Sequence, residues 1–194
     1  MKKLHNKYFI LRHGESKANV AEIIISNMED GIKEEYSLTE KGEDQVINSV
    51  TNAKNEKLLH DQVIIYSSPF SRCKKTAQIA KEVMGVKNEI KIDDRLKERW
   101  FGNLDKTNIQ NYQKIWSADK ESSPPVENEE TAEGVEKRAT SLIFDIEKQY
   151  TNKTFLLVSH GDVLQILEAW FLGVSADQHT DIKPIQKAEI RELK

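Results

Sequence analysis

Tyr8-Phe9-Ile10-Leu11-Arg12-His13-Gly14-Glu15-Ser16 joins an unbroken apolar run to a polar, glycine-containing turn. A run without polar alternation suits a strand covered on both faces, as in a parallel sheet flanked by helices. The same grammar recurs along the chain. Val63-Ile64-Ile65-Tyr66 runs into Ser67-Ser68-Pro69, and Thr154-Phe155-Leu156-Leu157-Val158 runs into Ser159-His160-Gly161. Ile90-Lys91-Ile92 is a weaker fourth strand.

Helical patterns separate these runs. Thr39 is placed to cap a helix whose Val46, Val50 and Ala53 share one face. Ser68 is expected to cap the next, with Pro69 at its first position and Phe70, Cys73, Ala77, Ala80 and Met84 as its apolar stripe. Val135, Ala139, Leu142 and Ile146 mark another, ending near Tyr150. Val163, Ile166, Leu167, Trp170 and Phe171 mark the last, stopped by Gly173. Trp100 to Ser117 is expected to be partly helical, and Lys120 to Glu130, with Ser122, Ser123, Pro124 and Pro125, an exposed loop. Strands alternating with helices predict an α/β fold, a three-layer α/β/α sandwich around a mostly parallel sheet. At 194 residues, with no repeat and no linker, residues 1–194 read as a single domain.

The totals limit partners and setting. Net charge is −3, so no overall field draws the chain to nucleic acid or to an anionic membrane, and an anionic ligand needs a local cationic cluster. The basic stretch Met1 to Lys7 is followed by an apolar run too short for a signal peptide or a membrane span. A single cysteine, Cys73, rules out an internal disulfide and fits a reducing compartment, so the expected location is cytoplasmic.

Ligands of open α/β sheets bind beyond the carboxyl ends of the strands. Arg12, His13, Ser67, Arg72 and His160 would all reach one crevice there, Arg72 from the first turn of the helix after the second strand. Two guanidinium forks, two imidazoles and a helix N-terminus suit a phosphoryl group. Taken singly, each has a plainer reading. Arg12 would pair with Glu15 on the surface, Arg72 would be a solvated helix charge, and either histidine would sit satisfied in the core.

Leu11-Arg12-His13-Gly14-Glu15-Ser16 resembles the signature of the histidine phosphatase superfamily, which includes the cofactor-dependent phosphoglycerate mutases. The resemblance continues through Asn19, Leu38-Thr39-x-x-Gly42-x-x-Gln45, Ser67-Ser68-Pro69-x-x-Arg72, Leu96-x-Glu98 with Gly102, Glu130-Thr131 with Val135 and Arg138, and Val158-Ser159-His160-Gly161. It departs at Asn103-Leu104-Asp105-Lys106 and at Gln186-Lys187-Ala188. It implies an antiparallel edge strand, expected at Ala188 to Leu193.

The resemblance also implies a division of labour. His13 is the nucleophile, neutral at the attacking nitrogen, with its other N–H held by an acceptor such as a backbone carbonyl. Glu98 is the general acid and base, and needs a raised pKa to carry a proton at neutral pH. Arg12, Asn19, Arg72 and His160 bind the phosphoryl oxygens. Arg99, next to Glu98, is expected to point away from the pocket. Cofactors and metals are expected to be absent, since His5, His60 and His179 are isolated and no Gly-x-x-x-x-Gly-Lys-Ser/Thr loop occurs. The implied activity is hydrolysis of a small phosphate ester. A mutase and a non-catalytic binding protein are the competing readings. Tyr36, Trp100, Phe101 and Trp116 are each as readily core as rim.

Overall fold

The computed structural model describes residues 4–121, 123–125 and 127–194, so part of the basic N-terminal stretch (1–3) and Ser122 and Val126 of the expected loop lie outside the described residues. The quoted run forms β1 (Lys7–Arg12), and the other expected strands are β2 (Ile64–Ser67), β3 (Lys91–Ile92) and β4 (Thr154–Ser159). A fifth, β5 (Ile190–Leu193), closes the order β3-β2-β4-β1-β5. All pairings are parallel except β5 against β1. The antiparallel edge therefore begins at Ile190 rather than at the expected Ala188. Ala188 sits in the left-handed region, φ 57, where its N–H turns to the Arg12 and His13 carbonyls.

Two short helices, α1 (Lys17–Val20) and α2 (Met28–Gly31), precede α3 (Glu40–Asn55) and α4 (Ser71–Met84). Then come α5 (Tyr112–Lys120), α6 (Ala132–Gln149) and α7 (Gly161–Leu172). Successive strand side chains point to opposite faces, and this splits the apolar runs between two cores. Phe9, Leu11, Leu156 and Val158 pack with Val46 and Val50 of α3 and Cys73, Ala77 and Ala80 of α4. Tyr8, Ile10, Phe155 and Leu157 pack with Leu142 and Ile146 of α6 and Leu164 and Leu167 of α7. A sheet buried on both faces is why the strands carry no polar alternation, and the expected three-layer sandwich is the observed one.

Local punctuation works mostly as read. The Thr39 hydroxyl accepts the N–H of Gly42 and Gly173 ends α7 at φ 71, while the Thr131 hydroxyl accepts the N–H of Gly134 in a cap not anticipated from the sequence. Residues 123–125 and 127–130 form neither helix nor strand. Between Trp100 and Ser117 the helical parts are short 3-10 turns at Gly102–Leu104 and Ile109–Asn111, then α5. One cap differs. The helix after β2 starts at Ser71 behind Phe70, not at Pro69 behind Ser68. Ser68 Oγ accepts the Phe70 N–H at 3.3 Å, just ahead of that start, and lies 2.9 Å from His160 Nε2.

Candidate active site

β4 lies between β1 and β2, and its register places Arg12 beside Ser159 and Ser67 beside Val158. The three polar turns therefore share one edge of the sheet. At that edge lies a cavity of about 350 Å³ whose lining includes Arg12, His13, Asn19, Arg72, Glu98 and Gly161, whereas Ser67, expected to reach the crevice, is buried outside the lining with its hydroxyl donating to the Ser68 carbonyl at 3.0 Å. Five of the six residues given a role in the chemistry thus meet on one surface. The sixth, His160, is fully buried behind Arg72, its ring centroid 5.4 Å from that of His13.

His13 is held by its own turn. Its Nδ1 lies 2.7 Å from the Gly14 carbonyl, which can only accept, so Nδ1 carries the proton and Nε2 the lone pair. Arg72 Nε donates to Nε2 at 3.2 Å. Burial first, then the charges of Arg72 and Arg12, hold the His13 pKa well below its usual value, which leaves the ring neutral. The turn is braced by the block starting at Leu38. The Gly14 and Gly42 backbones approach so closely that a Cβ on Gly14 would stand 2.3 Å from the Gly42 carbonyl oxygen. Gln45 Oε1 and the Thr39 N–H bind the Glu15 backbone on either side.

The guanidinium groups are held but not saturated. Arg72 Nη2 donates to the Ile25 carbonyl (3.0 Å) and to His160 Nδ1 (3.0 Å). Arg12 Nη1 donates to the Ile185 carbonyl at 2.7 Å, and Glu15 pairs with Lys41 instead, so the surface pair Arg12–Glu15 does not form. Arg12 packs on Gly161, where any Cβ would fall 3.1 Å from its Cζ. Among the described residues, Arg12 Nε and Arg72 Nη1 are buried with no hydrogen-bond partner. An unpaired buried donor on a cation is costly, and an anion in the cavity would satisfy it. Asn19 lines the same wall, and its Oδ1 accepts the Ser16 N–H in a capping box on α1.

Glu98 is 6% exposed, and burial is the first cause that pushes its pKa up to about 7, against the opposing pull of Arg72. Its Oε2 lies 3.5 Å from Arg72 Nη2 and 3.3 Å from His160 Nδ1. That Nδ1 accepts from Arg72, so it presents no proton to the Glu98 carboxyl. Burial first, then Arg72, keeps His160 neutral as well. Arg138 positions the Glu98 segment by donating to the Arg95 carbonyl (2.6 Å) and the Glu98 carbonyl (3.3 Å), while Glu130 holds its Nε at 2.7 Å. Cys73 is buried, and burial pushes its thiol up to about 12, so it offers no thiolate.

The cavity walls include residues the sequence did not single out. Of the four rim candidates, Phe101 and Trp116 line the cavity, while Tyr36 and Trp100 are not among its lining residues. Tyr112 joins them, stacked on Trp116 at 5.4 Å and edge-on to Phe101 at 4.7 Å. Asp162, Gln165 and Lys187 complete the polar wall. Lys187 belongs to the second departure already noted from the family pattern; of the others, Asp162 had a local signal, an acid in the first turn of a helix. At the first departure from the family pattern, Asp105 accepts the backbone N–H and hydroxyl of Ser26, which fixes the loop carrying Ile25 to the site.

The family model of the histidine phosphatase superfamily (branch 1) matches residues 8–194. "Putative phosphoserine phosphatase 2" of Hydrogenobacter thermophilus is 28% identical over 123 residues, 59% of this chain and 58% of that relative's length. The chain therefore spans under two thirds of that curated relative. Among solved structures, an Entamoeba histolytica phosphoserine phosphatase variant in complex with phosphoserine superposes with a TM-score of 0.76 at 23% identity, covering 96% of this chain and 89% of that one. A mycobacterial glucosyl-3-phosphoglycerate phosphatase superposes at 0.77 and 19% identity, covering 96% and 90%. At such identities these likenesses speak for the fold.

Proposed function

This chain belongs to the histidine phosphatase superfamily, and from that premise we propose that it is a metal-independent phosphomonoester hydrolase working through phosphorylated His13 on a small phosphorylated metabolite. One observation carries the proposal: His13 is neutral with its Nε2 lone pair toward Arg72, and Arg12 and Arg72 each keep a buried nitrogen unpaired. A floor of guanidinium groups attracts a phosphate dianion and repels a divalent cation, which supports chemistry without a metal.

In the first step the Nε2 lone pair attacks phosphorus as the bond from phosphorus to the ester oxygen breaks. The Glu98 proton passes to that oxygen, and the alcohol leaves. In the second step water attacks the phosphohistidine, the P–N bond breaks back to Nε2, and Glu98 takes the proton from water. Arg72 redirects its hydrogen bond from His13 Nε2 to the phosphoryl oxygens as that lone pair is used, keeping its proton, and Arg12 and Asn19 supply further donors. His160, as placed, acts through Arg72, whose fork it orients by accepting from Nε and Nη2. We read the chain as one domain in a reducing, cytoplasmic setting, which its single buried cysteine fits. No helix of the described residues is long and apolar enough to cross a membrane.

Phosphoserine and 3-phosphoglycerate, bound in solved Entamoeba histolytica relatives, are the first substrates to test. The deciding experiment is rapid quench with labelled substrate in EDTA. The expected result is a protein-bound phosphate, stable in alkali and labile in acid, that His13→Ala abolishes. A label that persists in that variant, or activity that needs an added divalent metal, would overturn the proposal.

A further inference from the structure

The second departure from the family pattern, Gln186-Lys187-Ala188, puts a cation on the wall of the cavity, and nothing in the proposed chemistry uses it. The backbone fixes where it stands. Ala188, next in the chain, donates its N–H to the Arg12 carbonyl at 3.1 Å and the His13 carbonyl at 3.2 Å. The turn is also closed on itself. The Glu189 N–H meets the Gln186 carbonyl at 3.0 Å, and the Gln186 N–H meets Glu189 Oε2 at 2.7 Å. Lys187 therefore rises from a turn pinned to the nucleophile's own backbone, and its charge is felt at His13. The ammonium itself is loosely held. Its Nζ lies 3.7 Å from Glu15 Oε2, beyond hydrogen-bond distance, and Lys41 already takes that oxygen at 3.0 Å. The Glu15 carboxylate thus faces both ammonium groups, and it is not itself part of the lining.

The rest of the wall favours an anion over a cation as well. Its carboxyl groups are Glu98, which serves the chemistry, and Asp162. Asp162 Oδ1 accepts from Trp116 Nε1 at 2.8 Å and faces His179 Nε2 at 3.0 Å, while Oδ2 takes Nη1 of Arg99 at 3.2 Å. Arg99 itself lies outside the lining, pointing away from the pocket as expected. Neither Asp162 oxygen is without a donor. A ligand ammonium would therefore meet Arg12, Arg72 and Lys187 with no unclaimed carboxylate to offset them. Gln165 and Tyr112 add neutral groups. Gln165 spends Nε2 on the His179 and Ile182 carbonyls, which leaves Oε1, and the Tyr112 hydroxyl makes no hydrogen bond among the described residues. Such groups suit an alcohol. We propose that Lys187 binds a carboxylate carried by the leaving group, and that the substrate is a phosphorylated hydroxy acid rather than a phosphorylated amino acid.

This inference rests on the phosphatase reading, and nitrophenyl phosphate, which carries no carboxylate, separates the two. The measurement is kcat/KM of the whole chain for 3-phosphoglycerate, for glycerol 3-phosphate, where an alcohol replaces the carboxylate, and for phosphoserine, where an ammonium replaces the hydroxyl, each in both configurations. 3-Phosphoglycerate should exceed glycerol 3-phosphate by about tenfold, the low end for a charge-assisted hydrogen bond, because the Lys187 side chain is 37% exposed. Lys187→Met should erase that preference and Lys187→Arg should keep it, with a much smaller change for nitrophenyl phosphate in either variant. Phosphoserine should be a poorer substrate than 3-phosphoglycerate throughout. Equal rates with and without the carboxylate, a preference that survives Lys187→Met, or phosphoserine turned over as fast as 3-phosphoglycerate refutes the assignment. Turnover of nitrophenyl phosphate with none of 3-phosphoglycerate refutes it too. A parent enzyme inactive on every ester, nitrophenyl phosphate included, would instead sink the phosphatase reading, and the inference with it.

Discussion

Replacing Arg72 by lysine keeps one positive charge and removes the planar fork, and the structure sets how much that should cost. Arg72 spends Nη2 on the Ile25 carbonyl and His160 Nδ1, spends Nε on His13 and His160, and holds Nη1 unpaired. A lysine ammonium is a single nitrogen and cannot span these positions. At least one preorganised donor to the phosphoryl group is lost. That costs about 3 kcal/mol, or roughly a hundredfold in rate, since about 1.4 kcal/mol is tenfold. The assay is kcat/KM for nitrophenyl phosphate, chosen because Arg72 also touches Glu98 and a good leaving group needs that acid least. It should be run below pH 7, where Glu98, with its pKa pushed up to about 7, is largely protonated in both proteins. Thermal unfolding of the variant confirms that the fold survives. A loss smaller than about threefold in a folded variant would refute the cradle, because one absent transition-state donor costs far more than that.

Glu98→Gln should slow single-turnover phosphorylation by a sugar phosphate about a hundredfold to ten-thousandfold, and slow nitrophenyl phosphate far less; equal slowing would assign Glu98 a binding role. His179 should give the fold a pH-dependent brace. Its two ring nitrogens face acceptors, the Ala176 carbonyl at 2.8 Å and Asp162 Oδ1 at 3.0 Å, so both bonds require the doubly protonated ring. Despite burial, which acts the other way, Asp162 raises its pKa above 6.5, so its stabilisation is full below the unfolded value near 6.5 and is lost as pH rises through the higher folded value. His179→Asn should therefore destabilise by about 1–3 kcal/mol at acid pH and by less at alkaline pH; a gap in melting temperature that is constant with pH would contradict this.

The layers of the fold were legible because each was written in neighbours along the chain. Phe9 and Leu11 face one core and Tyr8 and Ile10 the other, and a run with no polar alternation can mean little else once helices flank it. Thr39 and Gly173 act on residues within one helical turn, so their roles needed no tertiary information. The crevice was legible for a similar reason: three strand ends carried its chemistry, and a parallel sheet brings such ends to one edge. Long-range partners decided the rest. Ser68 has a capping residue's sequence and its hydroxyl does accept the Phe70 N–H at 3.3 Å, but its shorter contact, 2.9 Å, is with His160, far along the chain. Arg99 was expected to turn away, yet no local pattern names Asp119 or Asp162, which packing delivers from α5 and α7. His179 looked isolated until α7 set Asp162 against it. Tyr112 became a cavity wall through stacking with Trp116 and Phe101. Backbone periodicity and caps are settled by contacts a few residues apart, whereas a buried polar group takes whichever partner the folded chain brings within about 3 Å, and only the tertiary structure decides which that is.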